Sequence, residues 1–342
     1  MRRRVASPRR LAGILLVLLG LLLVTAIVGL ASGPSGLEPR EVVNALLGRS
    51  AGPAADIVLR IRLPRVALAA LVGGSLSVAG VLFQALLRNP LADPFVLGIS
   101  GGAALGGILV LAFGSALGVA QSAVPWAAFA GALAATVLLF GVTGFGGRVS
   151  TTGLLLTGVV FNAFASAAIV FIASLAGLAE GASIFLWLIG NLSAGDLRMA
   201  GWVAALLAGG LACALPLARG LNLLALGEEQ AGQLGVDVER HKRILLLATS
   251  LMVGAAVAVS GLVGFVGLII PHLLRLLLGP DHRLLVPASA LAGAAFLVLC
   301  DTAARTLLPG RELPVGAITA LLGGPLFLFL LRRHHRSVYA PG

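Results

Sequence analysis

The chain has 342 residues, of which 59% are hydrophobic and only 11% charged; soluble domains carry about 25% charged residues, so most of this chain is built to be solvated by lipid. Its formal net charge is +11, but the basic residues are scattered through short connections and the chain ends without an aromatic-rich basic stripe, which argues against a nucleic-acid partner. The two cysteines, Cys213 and Cys300, lie inside apolar runs without CxxC or Cys/His spacing, so neither a disulfide framework nor a metal centre is signalled.

Apolar runs of the length needed to cross a bilayer, about 20 residues, recur along nearly the whole chain. The first, Leu11 to Leu30, follows Arg2-Arg3-Arg4 and Arg9-Arg10. It is longer than the roughly 7 to 15 residues of a signal-peptide core, and more spans follow, so it reads as a retained first helix. Further spans are predicted at Val66 to Leu87, Pro94 to Phe113, Pro125 to Val142, Gly153 to Leu175, Met199 to Leu217, Ile244 to Leu262, Gly264 to Leu278, Leu284 to Thr302 and Pro314 to Leu331. The expected architecture is all-α, a single polytopic membrane domain of about ten helices over residues 1–342.

An even number of spans puts both termini on one side. With the termini cytoplasmic, the inner connections collect sixteen basic residues and the outer ones eight, as the positive-inside rule requires. The outer eight are clustered and include Arg62, Arg65 and Arg305. Outside, Glu38 to Gly48 has the apolar spacing of a short amphipathic helix with Val42, Ala45 and Leu46 on one face, and Ser183 to Leu192 reads as a second interfacial piece. Inside, Ala218 to Arg243 is the one sizeable connection. Gly73 and Gly80 in the second span and Gly254 and Gly261 in the seventh share a seven-residue spacing. Each pair opens a block of four spans, and the blocks start on opposite sides, the pattern of an inverted repeat.

Little in the spans can carry chemistry. His272, Arg275 and Asp301 are their ionisable residues, all toward helix ends, which argues against a proton-coupled secondary transporter, since such carriers place an acidic or histidine relay at membrane depth. Asp301 and Arg305, four apart, are expected to form a local ion pair. Gly98-Ile99-Ser100-Gly101 matches the GxSG motif of intramembrane serine proteases, but in a chain with 46 glycines so short a motif has little specificity. A nucleotide site of the form GxxxxGK[ST] is absent, and the single lysine, Lys242, stands between His241 and Arg243. ATP hydrolysis, if it drives this protein, belongs to another subunit.

Three long stretches carry a family resemblance: IRLPRVALAALVGGSLSVAGVLFQALLRNPLADPFVLGISGGA from Ile61 to Ala103, GLVGFVGLIIPHLLRLLLGPDHRLLVPASALAGA from Gly261 to Ala294, and ELPVGAITALLGGPLFLFLL from Glu312 to Leu331. Together they resemble the FecCD/BtuC-type permeases of ABC importers for iron-siderophores, haem and cobalamin, a type II importer fold. The resemblance implies a homodimer of ten-helix subunits in the bacterial inner membrane, two cytoplasmic ATPase subunits and an extracytoplasmic substrate-binding protein, with no cofactor. It further implies that Leu226 to Val238 contains the helix that couples to the ATPase, within a cytoplasmic segment 226–240. There Glu228 and Glu229 would lie in the first turn, where the helix dipole favours anions, Ala231 and Leu234 would supply an apolar face, and Gly235 would close the helix. Arg62, Arg65 and Arg305 match outer arginines that engage acidic residues of the binding protein. Asn89 and Leu91, in RNPLADP, and Ser150 and Thr151, in VSTTG, match the loops that close the cytoplasmic end of the pathway.

Overall fold

The computed structural model describes residues 8–50, 52–144, 150–192, 196–308 and 311–338, with side chains to Phe329 in the last segment. Arg2, Arg3, Arg4, Arg148 and Tyr339 lie outside the described residues, as do the side chains of Arg332, Arg333 and Arg336. The helices in chain order are α1 (Pro8–Ala31), α2 (Pro39–Leu46), α3 (Pro53–Asp56), α4 (Leu63–Leu86), α5 (Ile99–Phe113), α6 (Val124–Thr143), α7 (Thr151–Leu175), α8 (Leu178–Leu188), α9 (Leu197–Leu224), α10 (Glu228–Gln233), α11 (Val238–Ser260), α12 (Val266–Leu278), α13 (His282–Thr306) and α14 (Val315–Val338). No strand occurs among the described residues. A π-helical turn, Ile57–Arg62, joins α3 to α4 in one continuous helix from Pro53 to Leu86.

Ten of these helices occupy the ten predicted spans. Several begin where a short side chain accepts a backbone N–H that the first turn leaves unpaired: Ser150 from Gly153 at 3.1 Å, Asp196 from Met199 at 2.8 Å, Asp237 from Arg240 at 3.0 Å and Asp281 from Arg283 at 3.1 Å. The shorter α2 carries a capping box between Glu38 and Glu41. Its Val42 and Ala45 face the protein as predicted, whereas Leu46 is 44% exposed and lies off that face. The predicted interfacial piece is α8, which starts earlier than expected, at Leu178.

The two blocks of four helices start at opposite ends of the bundle, α4 beside Asp301 and α11 beside Glu228, and repeat one packing pattern. α4 packs on α13 as α11 packs on α6; α4 meets α12 as α11 meets α5; α4 and α11 also touch one another. Within the blocks, α5, α6 and α7 contact each other in the same combinations as α12, α13 and α14. Close approach of backbones at small residues is how helices associate in lipid, and α4 depends on it. A Cβ on Gly80 would collide with the Gly267 carbonyl, and one on Gly73 with the Gly293 carbonyl. α4, α11 and α13 therefore form the protein-enclosed centre, while α1, α7 and α9 turn most of their surface outward. Val17 and Ile27 of α1 and Phe164, Val170 and Phe171 of α7 are more than half exposed, apolar surface that suits contact with lipid or a second subunit.

The second helix of each block, α5 or α12, is short for a reason. α5 has 15 residues and α12 has 13, about 20 Å of helix against a hydrocarbon core of about 30 Å. Both start after a break with a left-handed residue at the N-cap, Gly98 at φ +81° and Phe265 at φ +69°. The breaks approach one another beside α4, where the Pro94 ring and the Leu76 carbonyl lie against Gly267. Non-helical backbone at such depth persists only when protein groups satisfy it. Asn162 of α7 does so, donating through Nδ2 to the Phe95 carbonyl at 2.7 Å, which also accepts from Ser100 Oγ at 3.4 Å.

Candidate functional site

Two clusters of functional side chains lie at opposite ends of the bundle: one at the distal face, reached by the C-terminal end of α1, the other at the face where α1 starts, the proximal face.

At the distal face Arg62, Arg65 and Arg305 come together, but their guanidinium groups turn into the protein. Their residues are 3%, 7% and 5% exposed. Asp301 of α13, itself buried, accepts from Arg65 Nε at 2.9 Å and from Arg305 Nε at 3.0 Å, so the expected Asp301–Arg305 pair is part of a triad. Arg65 Nη1 also reaches Glu312 at 2.8 Å. The remaining donors close the end of α1, whose last carbonyls have no partners within the helix. Arg62 donates to the carbonyls of Leu30 at 2.6 Å and Ala31 at 3.0 Å and to Ser35 Oγ at 2.6 Å, while Arg305 donates to Gly29 and Ser32. These contacts tie α1, α4 and α13 into one unit. Beside it a 390 Å³ depression is lined by Pro34, Arg305, Leu308, Arg311 and Glu312, so Arg305 borders open surface while Arg62 and Arg65 stand behind it.

At the proximal face an open vestibule of 900 Å³ is lined by Arg88, Thr143, Ser150, Thr151, Glu228, Lys242 and neighbouring polar residues. Here the predicted coupling helix and part of the predicted gate meet. Glu228 opens α10 and is held from three directions. Its carboxylate pairs with Lys242 Nζ at 2.5 Å, accepts from Thr151 Oγ1 at 3.2 Å and lies 3.8 Å from Arg88 Nη2. Glu229 points outward and is exposed. Ala231 and Leu234 do not share a face: Ala231 is fully buried, whereas Leu234 is 62% exposed, as is Leu226 at 58%. Gly235, at φ +85°, follows the helix in the left-handed conformation that terminates helices, and Gly227 precedes it at φ +135°. Of the other residues predicted for the gate, Ser150 caps α7 in the vestibule wall, and Asn89 accepts the Leu91 N–H at 2.9 Å in a turn on the neighbouring loop, where both are exposed.

Further polar contacts bind the proximal ends of the helices. Gln84 of α4 donates to the Gly267 and Leu268 carbonyls and accepts from Arg275 at 2.7 Å. Asn222 of α9 accepts from the His282 backbone N–H at 2.9 Å and donates to Asp281 at 2.9 Å. Asp281, in the turn before α13, is held down to about 2, first by its hydrogen bonds with Arg283 and then, against its partial burial, by those from Asn222 and the Arg283 backbone. Sequence reasoning missed Gln84, Asn162, Asn222 and the Lys242–Glu228 pair. Asn162 and Gln84 had a readable signal, an amide inside an otherwise apolar span, which in lipid needs a partner; nothing in the sequence named which partner.

With this geometry in view, comparison with known proteins gives a consistent picture. A profile of the FecCD transport family matches residues 21–333. The hemin transport system permease HmuU of Yersinia pestis is 43% identical over 97% of this chain and 98% of its own length. The uncharacterized ABC transporter permease YvrB of Bacillus subtilis is 46% identical over 82% of this chain and 80% of its own, and the cobalamin import permease BtuC of Halobacterium salinarum is 44% identical over 81% and 73%. A solved inward-facing structure of a metal-chelate type ABC transporter superposes with a TM-score of 0.83 at 30% identity, covering 94% of this chain and 99% of that one. The inverted ten-helix fold and these relatives together make the chain an ABC-transporter permease of the FecCD transport family.

Proposed function

We propose that this permease imports a haem, ferric siderophore or cobalamin-like metal complex as a homodimer, energised by two copies of a separate ATPase subunit at its proximal face and supplied by a substrate-binding protein at its distal face. In this reading both termini and the proximal face are cytoplasmic. The observation that carries it is α10, a short helix that sets Leu226, Glu229 and Leu234 outward on the proximal face while Glu228 ties it to Thr151 at the start of α7. That is the arrangement a permease without its own nucleotide site needs in order to receive work from an ATPase. Relatives named for hemin and cobalamin support the substrate class. The spans present almost purely apolar surface, so substrate choice falls to the binding protein.

On the distal side, docking centres on the depression bordered by Arg305 and Arg311, with Arg62 and Arg65 holding its walls in place rather than presenting charge themselves. The outer face of α7 belongs to the dimer seam. Affinity purification of the permease with its co-encoded partners tests the assembly. The expected complex contains two permeases, two ATPases and one binding protein, and its mass in lipid nanodiscs reports this directly. A permease that transports without any ATPase, or that purifies only as a monomer in the active state, would overturn the proposal.

A further inference from the structure

Glu228, which begins the proposed coupling helix, lines the proximal vestibule with its carboxylate bonded to the bundle, its side chain 33% exposed. Glu228 is engaged by Lys242, Thr151 and Arg88, three residues from three different segments: the start of α11, the start of α7 and the end of α4. Lys242 is almost entirely buried, its side chain 5% exposed. A buried ammonium requires a carboxylate close by; Glu228 is the nearer of two, at 2.5 Å against 3.7 Å for Glu239, and so is drawn toward α11.

Resting on the ABC-importer reading above, we infer that Glu228 is the positioning residue that transmits movement of α10 to the proximal gate, pulling on α7 through the Thr151 hydroxyl, rather than a contact for the ATPase. The geometry supplies both ends of the linkage. α10 is six residues long and stands between Gly227 and Gly235, both at positive φ. Glycine tolerates large changes of φ and ψ, so the helix can swing as a unit while carrying Glu228 with it. Beyond Thr151, α7 runs to Asn162, whose amide holds the Phe95 carbonyl at the break before α5. A displacement of the start of α7 therefore reaches the short 3-10 turn Pro94–Leu97, which ends at Gly98 with φ +81° before α5 begins. The exposed residues Leu226, Glu229 and Leu234 are left to meet the ATPase.

The test uses the full complex of permease, ATPase and binding protein in proteoliposomes, reading labelled haem or cobalamin taken up per ATP hydrolysed. Thr151→Val removes the hydroxyl at nearly constant volume, and Thr151→Ser retains it. The inference expects T151V and Glu228→Gln to keep the ATPase bound and hydrolysing while uptake per ATP falls by about tenfold, within the range of couplings between sites; T151S should stay near wild type. Wild-type uptake per ATP in T151V, equal losses in T151V and T151S, or release of the ATPase by E228Q would each overturn the linkage. If the unmutated complex itself shows no ATP-dependent uptake of any metal complex, the importer reading fails instead, and the linkage with it.

Discussion

Replacing Asp301 by alanine removes the centre of the distal cluster, and the structure sets the size of the effect. Asp301 is 1% exposed and accepts from both Arg65 and Arg305, themselves buried. Deleting one partner of a buried ion pair costs about 3–5 kcal/mol, because the remaining charge stays desolvated. Here the loss is softened: Arg65 keeps Glu312 at 2.8 Å, and Arg305 keeps the carbonyls of Gly29 and Ser32 at 3.0 and 3.1 Å. The lower end, about 3 kcal/mol, is therefore expected. Arg60→Ala is the control, since its pairing with Asp56 is formed by side chains 82% and 63% exposed and such surface pairs contribute about 0–1 kcal/mol. Thermal unfolding of both variants in the same detergent, followed by loss of the monodisperse peak, should place Asp301→Ala well below wild type and Arg60→Ala close to it. Equal transition temperatures for Asp301→Ala and wild type would show that the triad does not hold α1, α4 and α13 together.

Gly80→Val should prevent accumulation of folded protein, because α4 cannot approach the Gly267 carbonyl, whereas Gly13→Ala and Gly20→Ala, with open space beside them, should express like wild type by fluorescence size exclusion. Asp281 titrates near 2 in the fold, below the usual carboxylate value of 3.8; a lowered folded pKa gives stability that is complete above about pH 4 and is lost as pH falls toward 2. Asp281→Asn should accordingly flatten the acid limb of a thermal-stability profile between those values, and an unchanged limb would contradict the assignment. Glu229→Lys should weaken recovery of the ATPase with the permease while changing permease stability by no more than about 0.5 kcal/mol, checked by co-purification alongside a thermal melt.

The sequence made the spans legible because lipid imposes a simple rule on them, long apolar runs bounded by charge, and all ten runs are helices in the fold. The Asp301–Arg305 pair was legible for a similar reason, since residues four apart on a helix are neighbours. Arg65 joining the same carboxylate from 236 positions away was not, and that contact turns an apparently outward-facing arginine inward. The same limit applies to α10. Dipole and capping arguments locate Glu228, Glu229 and Gly235 correctly along the helix, but the helix is too short for periodicity to say which side faces the protein, so Ala231 and Leu234 were assigned to one face and lie on two. The break before α5 was hidden because Gly98 lies inside the apolar run Pro94 to Phe113, which reads as one span; only the packing shows that the Phe95 carbonyl there is held by Asn162.

The central claim is that this chain is a passive pathway worked by another subunit's ATP. Proteoliposomes containing permease, ATPase and binding protein should accumulate labelled haem, ferric siderophore or cobalamin only when ATP is on the ATPase side, and should lose uptake when the ATPase is omitted. Uptake of one of these complexes by the permease alone, driven by a proton gradient and indifferent to ATP, would contradict the account.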